Sequence, residues 1–186
     1  MSAILLDFPT EFTTDRLLIR LPLPGDGKAV HAAITASIQE LRPWMPFAQK
    51  DQSVEETEEN IREAHAKFIL REDLRFLIFH KKDGHFIGST GLHRINWEIP
   101  KFEIGYWVDS RHAKQGYITE AIEGLTNFAF RELNAKRVEI RCDALNTNSK
   151  RVAVRLGYSL EGILINDDLA VDNKTLRDTC IFARTT

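Results

Sequence analysis

The sequence predicts an α/β fold of the α+β type: a mixed, mostly antiparallel, seven-stranded sheet with about four helices on both faces. Three observations predict it. The candidate elements run strand, two helices, three strands, helix, strand, helix, two strands, without the regular alternation of a doubly wound parallel sheet. Asp83-Gly84 is a hairpin turn signal between two apolar runs, which makes the flanking strands antiparallel. The 186 residues are 43% hydrophobic and contain no Pro/Gly/Ser-rich linker. That fits one domain spanning residues 1–186, large enough for a core of its own.

Each element has a local reason. "RLLIRL" (Arg16–Leu21) is apolar enough for a buried strand, and "PLPGDG" then breaks the chain. Lys28–Gln39 carries Val30, Ala33, Ile34 and Ile38 roughly on one helical face. "LRPWMPF" is a loop held by two prolines and presents Trp44. Ser53 followed by Glu56 has capping-box spacing and opens a long helix to Arg71, with Val54, Ile61, Phe68 and Ile69 as its buried stripe. Its Glu55, Glu56, Glu58 and Glu59 suit the helix dipole and read as a solvated face; the sharper alternative is a dock for a basic substrate. The hairpin strands are "RFLIFH" and "FIGSTGLHRI", and "FEIGYWV" follows. Ile118, Ala121, Ile122, Leu125, Phe128 and Ala129 mark the next helix. "RVEIRCD" is a strand, and "NTNSKRVAVRLG" is a short helix that Asn146 or Asn148 caps and Gly157 ends. "YSLEGILI" and "LRDTCIFAR" are the last strands.

Composition removes several function classes. A net charge of −2 argues against a generic nucleic-acid binder. Cys142 and Cys180 are two isolated residues in strand-like runs, read as buried, reduced thiols of a cytosolic protein. The start of the chain lacks the pattern of a signal peptide, and no apolar run reaches membrane-spanning length, so the chain reads as soluble and intracellular. The six histidines lack metal-ligand spacing, and no metal is expected.

One stretch asks for a ligand. "SRHAKQGYITEA" places Gly116 and several free backbone N–H groups at the mouth of a helix, a ready anion site. Neither G-x-x-x-x-G-K-[ST] nor G-x-G-x-x-G is present. An ordinary strand-to-helix turn is the plain alternative. The chain also carries "TDRLLIRL", "LRPWMPF", "FEIGYWV", "GYITEA", "NTNS" and "LGYSLEG" in this order. Together these resemble the GNAT superfamily of acetyl-CoA-dependent N-acetyltransferases, and within it the RimJ/RimL branch that acetylates ribosomal-protein N-termini.

The resemblance implies a role for each part. The coenzyme A pyrophosphate would lie on the backbone amides of Lys114, Gln115, Gly116, Tyr117, Ile118 and Thr119. The pantetheine arm would pair with the strand backbone of residues 106–108, Trp107 and Val108 included, with Asn146 opposite. Lys150 or Arg151 would meet the outer phosphates. The sequence departs from the family loop at Ala113, Lys114 and Ile118, which weakens the likeness while leaving backbone donors in place.

Transfer would be direct: an amine attacks the thioester carbonyl and sulfur leaves. The N–H of Val108 would hold the oxyanion. Ser149 would assist the thiolate, because the position of the tyrosine that many superfamily members use is Ala153 here. Glu103 is the first candidate base and His93 the second. Trp44 and His93 would border the acceptor; Trp97 and, by its side chain, Trp107 read as packing residues. The expected acceptor is the α-amine of a protein N-terminus, that of a ribosomal protein; the alternatives are a small amine acceptor, a polyamine or an aminoglycoside-type antibiotic, and a non-catalytic acyl-CoA-binding module. The resemblance also implies a homodimer.

Overall fold

The computed structural model describes residues 2–186. Among them, one sheet holds eight strands: β1 (Glu11–Thr13), β2 (Leu17–Arg20), β3 (Leu74–His80), β4 (Phe86–Asn96), β5 (Lys101–Val108), β6 (Arg137–Asp143), β7 (Ser159–Leu169) and β8 (Leu176–Thr185). Their order is β1-β2-β3-β4-β5-β6-β8-β7. Among the described residues, only the β5–β6 pair is parallel. The helices are α1 (Gly27–Ala36), α2 (Ile38–Leu41), α3 (Val54–Leu70), α4 (Tyr117–Glu132) and α5 (Thr147–Arg155).

The mixed, mostly antiparallel sheet matches the expected class, with two corrections of count. β1 is the eighth strand, three residues long, paired to β2 through Phe12↔Ile19. It is too short to show alternation, and tertiary packing holds it: Phe12 stacks on Phe128 of α4, with ring centroids 5.1 Å apart. The expected helix Lys28–Gln39 divides at Ser37, a fully buried residue whose hydroxyl accepts the N–H of Ser110.

Side-chain alternation in β3 separates two cores. Phe76 and Ile78 join Ile122, Leu125 and Phe128 of α4. Leu77 and Phe79 point the other way, to Val30 and Ile34 of α1 and Ile61 of α3. Both faces are therefore covered by helices.

α3 begins at the predicted capping box, with both Ser53–Glu56 hydrogen bonds made. Its buried stripe is Thr57, Ile61, Ala64 and Phe68. Val54, in the first turn, and Ile69, 100° round from Phe68, are exposed instead. The acidic run is also more than a solvated face. Glu58 accepts the N–H groups of Gly25 and Gly27, and those bonds with Arg62 hold its carboxyl below the usual range.

Gly27 marks the α1–α3 contact: an added Cβ would lie 2.6 Å from the Glu58 Cα. Gly27→Ala should therefore destabilise the protein by about 1–3 kcal/mol through overpacking. Scanning calorimetry should show a lower Tm. An unchanged Tm would mean the two helices separate freely.

Candidate active site

The site begins where the parallel pairing ends. β5 and β6 pair only at Lys101↔Arg137, Phe102↔Val138 and Glu103↔Glu139. Beyond that, β5 stays with β4 as far as Val108, and β6 stays with β8 as far as Asp143. The Asp109 N–H donates to the Ile87 carbonyl on the β4 side. Strand alternation then turns the N–H and C=O groups of Tyr106 and Val108 to the opposite edge, into the gap.

α5 flanks this gap. Asn146 caps it, its Oδ1 accepting the Ser149 N–H at 3.0 Å, which leaves the Asn146 amide NH₂ available. The Tyr106 hydroxyl lies 2.8 Å from Ser149 Oγ. Burial raises the Tyr106 phenol, outweighing the Ser149 hydrogen bond that lowers it, so Tyr106 keeps its proton at neutral pH. Burial also pushes the nearby Cys142 up to about 11, so this residue stays a thiol and is a poor nucleophile. Ala153 is fully buried one turn beyond Ser149. Sequence reasoning missed the role of the Tyr106 hydroxyl, whose partner on α5 no local pattern indicates.

The loop between β5 and α4 is tightly held. Asp109 is fully buried. Burial would raise its carboxyl, but side-chain and backbone hydrogen bonds from Arg111 prevail and hold it below the usual range. Ser110 is tied to the end of α1 through Ser37 and Ala36. Lys114 (φ 62°) and Gly116 (φ 81°) then take left-handed conformations that turn the chain into α4. Among the described residues, the N–H groups of residues 114 to 119 have no protein acceptor. Arg16, from the N-terminal part of the sheet, reaches across to the Gln115 carbonyl at 3.1 Å and covers the Tyr117 ring at 4.4 Å. Glu120 fixes Arg16 at 2.6 Å and also accepts from Thr14. Arg16, Thr14 and Glu120 fall within the quoted "TDRLLIRL" and "GYITEA" stretches, and the fold shows that they brace one another.

On the α1–α3 face lies an open groove of about 620 Å³. Its floor includes Ser89, Gly105, Tyr106 and His93; Met45, Phe47 and Trp107 give an apolar wall, and Glu56, Glu59 and Glu63 an acidic one. Trp107 is buried against Phe47 and Phe86, as a packing residue, and its backbone faces Ser89 of β4, so Tyr106 and Val108 offer the free edge in its place. Trp97 packs between Phe8 and Phe102.

Three candidates sit elsewhere than expected. Trp44 is half-buried, while Met45 and Phe47 of the same loop line the groove. Glu103 opens onto a separate charged recess with Arg94, Arg141 and Arg177, 3.5 Å from the Arg94 guanidinium. The next strand positions past Glu103 carry the groove floor, so the difference is about one side-chain row. Lys150 folds back to the Ala144 carbonyl at 2.6 Å, whereas Arg151 is exposed. The histidines are less scattered than their spacing implied: His80 and His85 both contact the Asp83 carboxylate, their ligand atoms within 4.8 Å of one another.

The comparisons with known proteins agree with this arrangement. Residues 16–159 match the family model described as the acetyltransferase (GNAT) domain. This chain belongs to the GNAT acetyltransferase family. It is 29% identical over 147 residues to the ribosomal-protein-serine acetyltransferase of Escherichia coli strain K12, covering 79% of this chain and 78% of that one. The fold is shared with RimL, a ribosomal L7/L12 α-N-protein acetyltransferase solved with coenzyme A (TM-score 0.84, 22% identity, 95% and 96% coverage). It is shared equally with the microcin C7 self-immunity acetyltransferase MccE, solved with acetyl-CoA and AMP (TM-score 0.87, 20% identity, 96% and 98% coverage). The chain is thus a GNAT N-acetyltransferase of the RimJ/RimL-like branch, and acetyl-CoA is its acetyl donor. No helix among the described residues is long and apolar enough to cross a membrane.

Two predictions follow from the loop. Gly116→Val forces a β-branched side chain into a left-handed conformation costing about 1–3 kcal/mol, so calorimetry should show acetyl-CoA binding weakened by roughly tenfold or more. Unchanged affinity would mean the loop geometry is irrelevant to binding. Asp109 has a depressed folded-state pKa, so its stabilisation is complete above the unfolded carboxyl value of about 3.9 and is lost as pH falls through the folded value. The Tm gap between wild type and Asp109→Asn should be open at pH 7 and close below about pH 4. A gap that is constant with pH would contradict this.

Proposed function

We propose that this enzyme acetylates the α-amine of a protein N-terminus, with a ribosomal protein as the acceptor, by direct attack in a ternary complex. The observation that carries the proposal is the free edge of β5. It leads from the unpaired amides of residues 114 to 119, along Val108 and Tyr106, to Gly105 in the floor of an open groove. Pyrophosphate on the loop amides and pantetheine along the free edge would bring the thioester to that floor. Strand rise puts Gly105 about 10 Å from Val108, so the reacting end lies well inside the sheet.

The chain's own groups supply the remaining tasks. A backbone N–H of Val108 or Tyr106 would receive the developing oxyanion, a contribution of about 3–4 kcal/mol in comparable sites. Asn146 would hydrogen-bond the arm through its amide. Ser149, joined to the protonated Tyr106, would donate to the departing thiolate. An α-amine, at about 7.7–8.0, is easier to use as a free base than lysine at about 10.4. An open groove also admits a chain end. The relative named for ribosomal-protein serine supports the acceptor class, and that acceptor would place the enzyme in the cytoplasm.

A second reading, a small polyamine acceptor, is favoured by Glu56, Glu59 and Glu63 along one wall of the groove. The test is thiol release from acetyl-CoA with Ser-, Ala- and Met-starting peptides, N-blocked lysine peptides, polyamines and aminoglycosides. Release with free N-termini alone is expected; release with polyamines alone would replace the proposal with the second reading. Ser149→Ala should lower kcat by about 10-fold or more while leaving acetyl-CoA affinity unchanged. A full rate in that variant would remove Ser149 from the mechanism.

A further inference from the structure

His93, the second candidate base, lines the groove and has a carboxylate partner. His93 Nδ1 lies 2.6 Å from the Asp73 carboxylate. Asp73 stands just ahead of β3, and His93 is on β4, directly across from Glu103 of β5. An ionised carboxylate only accepts, so Nδ1 donates to it, and in the neutral form of the ring Nε2 presents the lone pair.

Two glycines make room for the ring. Gly91 and Gly105 are register partners on β4 and β5. A Cβ on Gly91 would lie 2.7 Å from His93 Cε1 and 2.8 Å from Nε2. A Cβ on Gly105 would lie 3.1 Å from Cδ2 and 3.2 Å from Nε2. The imidazole therefore lies over the Gly91–Gly105 pair, with Nε2 close to both positions. Any side chain at Gly91 would displace it. The other charged or titratable groups of the groove and the facing strand are Arg75 of β3, Glu103 and Tyr106 of β5, and Glu56, Glu59 and Glu63 of α3. Arg75 is engaged by Asn60 and Ser89, and Glu103 lies by Arg94. The His93 lone pair is the basic nitrogen in the groove floor.

We infer that His93 is the general base for acetyl transfer and that Asp73 is its positioning residue. This inference rests on the acetyl-transfer reading of the groove. As the acceptor nitrogen bonds to the thioester carbon, it loses one proton to His93 Nε2, and the Asp73 carboxylate stabilises the imidazolium. The carbon–sulfur bond breaks, and sulfur leaves with its electron pair. The thiolate takes one proton from the Ser149–Tyr106 hydroxyl pair. That pair and His93 then exchange their protons with solvent, giving amide and free thiol. The base needed by the reaction thus comes from the groove floor, not from Glu103.

The experiment is steady-state kinetics across pH for wild type, His93→Gln, His93→Ala with added imidazole, and Asp73→Asn. Acetyl-CoA affinity, measured by calorimetry on each variant, reports folding. The expected result for His93→Gln is a kcat lowered about 100-fold or more, unchanged acetyl-CoA affinity, and loss of the acidic limb of the pH profile. Imidazole should restore part of the rate to His93→Ala, and Asp73→Asn should lower kcat more than it raises the acceptor KM. If His93→Gln keeps kcat within about twofold and the same acidic limb, with wild type active, the assignment is overturned while the acetyl-transfer reading stands. If wild type transfers to no amine, that reading fails and the base assignment fails with it.

Discussion

The three-residue parallel pairing of β5 with β6 is the constraint on which the rest of the molecule depends. Each strand is fully committed on its other side, β5 to β4 and β6 to β8. The gap between them is therefore held open by the sheet itself. An antiparallel sheet closed at this point would have no free edge to offer. Here a row of backbone donors and acceptors stands ready for an extended ligand, the same chemistry by which a peptide adds to a sheet edge. The interior position of the gap leaves room for one guest and keeps the edge from pairing with other proteins.

Both ends of the gap are braced from distant parts of the chain. At one end, Arg16 and Thr14 hold Glu120, Arg16 also holds the Gln115 carbonyl, and Ser37 holds Ser110. The loop amides are thus presented by contacts spanning about a hundred residues of sequence, not by the loop's own composition. This explains how Ala113, Lys114 and Ile118 can depart from the family pattern: the donors are backbone groups, and their aim is set from outside. At the other end, the Gly91–Gly105 pair gives the His93 ring its seat, and the β4 register slips between His93 and Asn96, where Arg94 takes φ 47°. Bulges of this kind re-aim side chains beside active sites.

Much of this was legible in the sequence because it rests on local chemistry. Asp83-Gly84 announced the β3–β4 hairpin, Ser53 and Glu56 the start of α3, Gly116 the mouth of α4, and Asn146 the cap of α5. What escaped depends on tertiary placement. β1 is too short for a period, and its partner strand defines it. Glu103 and His93 are both polar residues in strands, and only the register and the turn carrying Asp73 distinguish a surface ion pair from an imidazole seated over two glycines. Trp44 and Phe47 share one loop, and only packing decides which of them lines the groove. Lys150 resembles a phosphate ligand in sequence, yet a carbonyl six residues earlier takes its ammonium. Tyr106 shows only its strand setting in the sequence, because the partner of its hydroxyl, Ser149, lies 43 residues away.

The central claim is that acetyl-CoA is received on backbone amides in the gap and in the loop. Amide hydrogen exchange with and without acetyl-CoA tests it directly. The amides of Tyr106 and Val108, and those of residues 114 to 119, should exchange measurably slower with ligand bound, while the amides that β5 already shares with β4 change little. Saturating acetyl-CoA that leaves these amides unprotected, or that protects a different part of the sheet, would contradict the account.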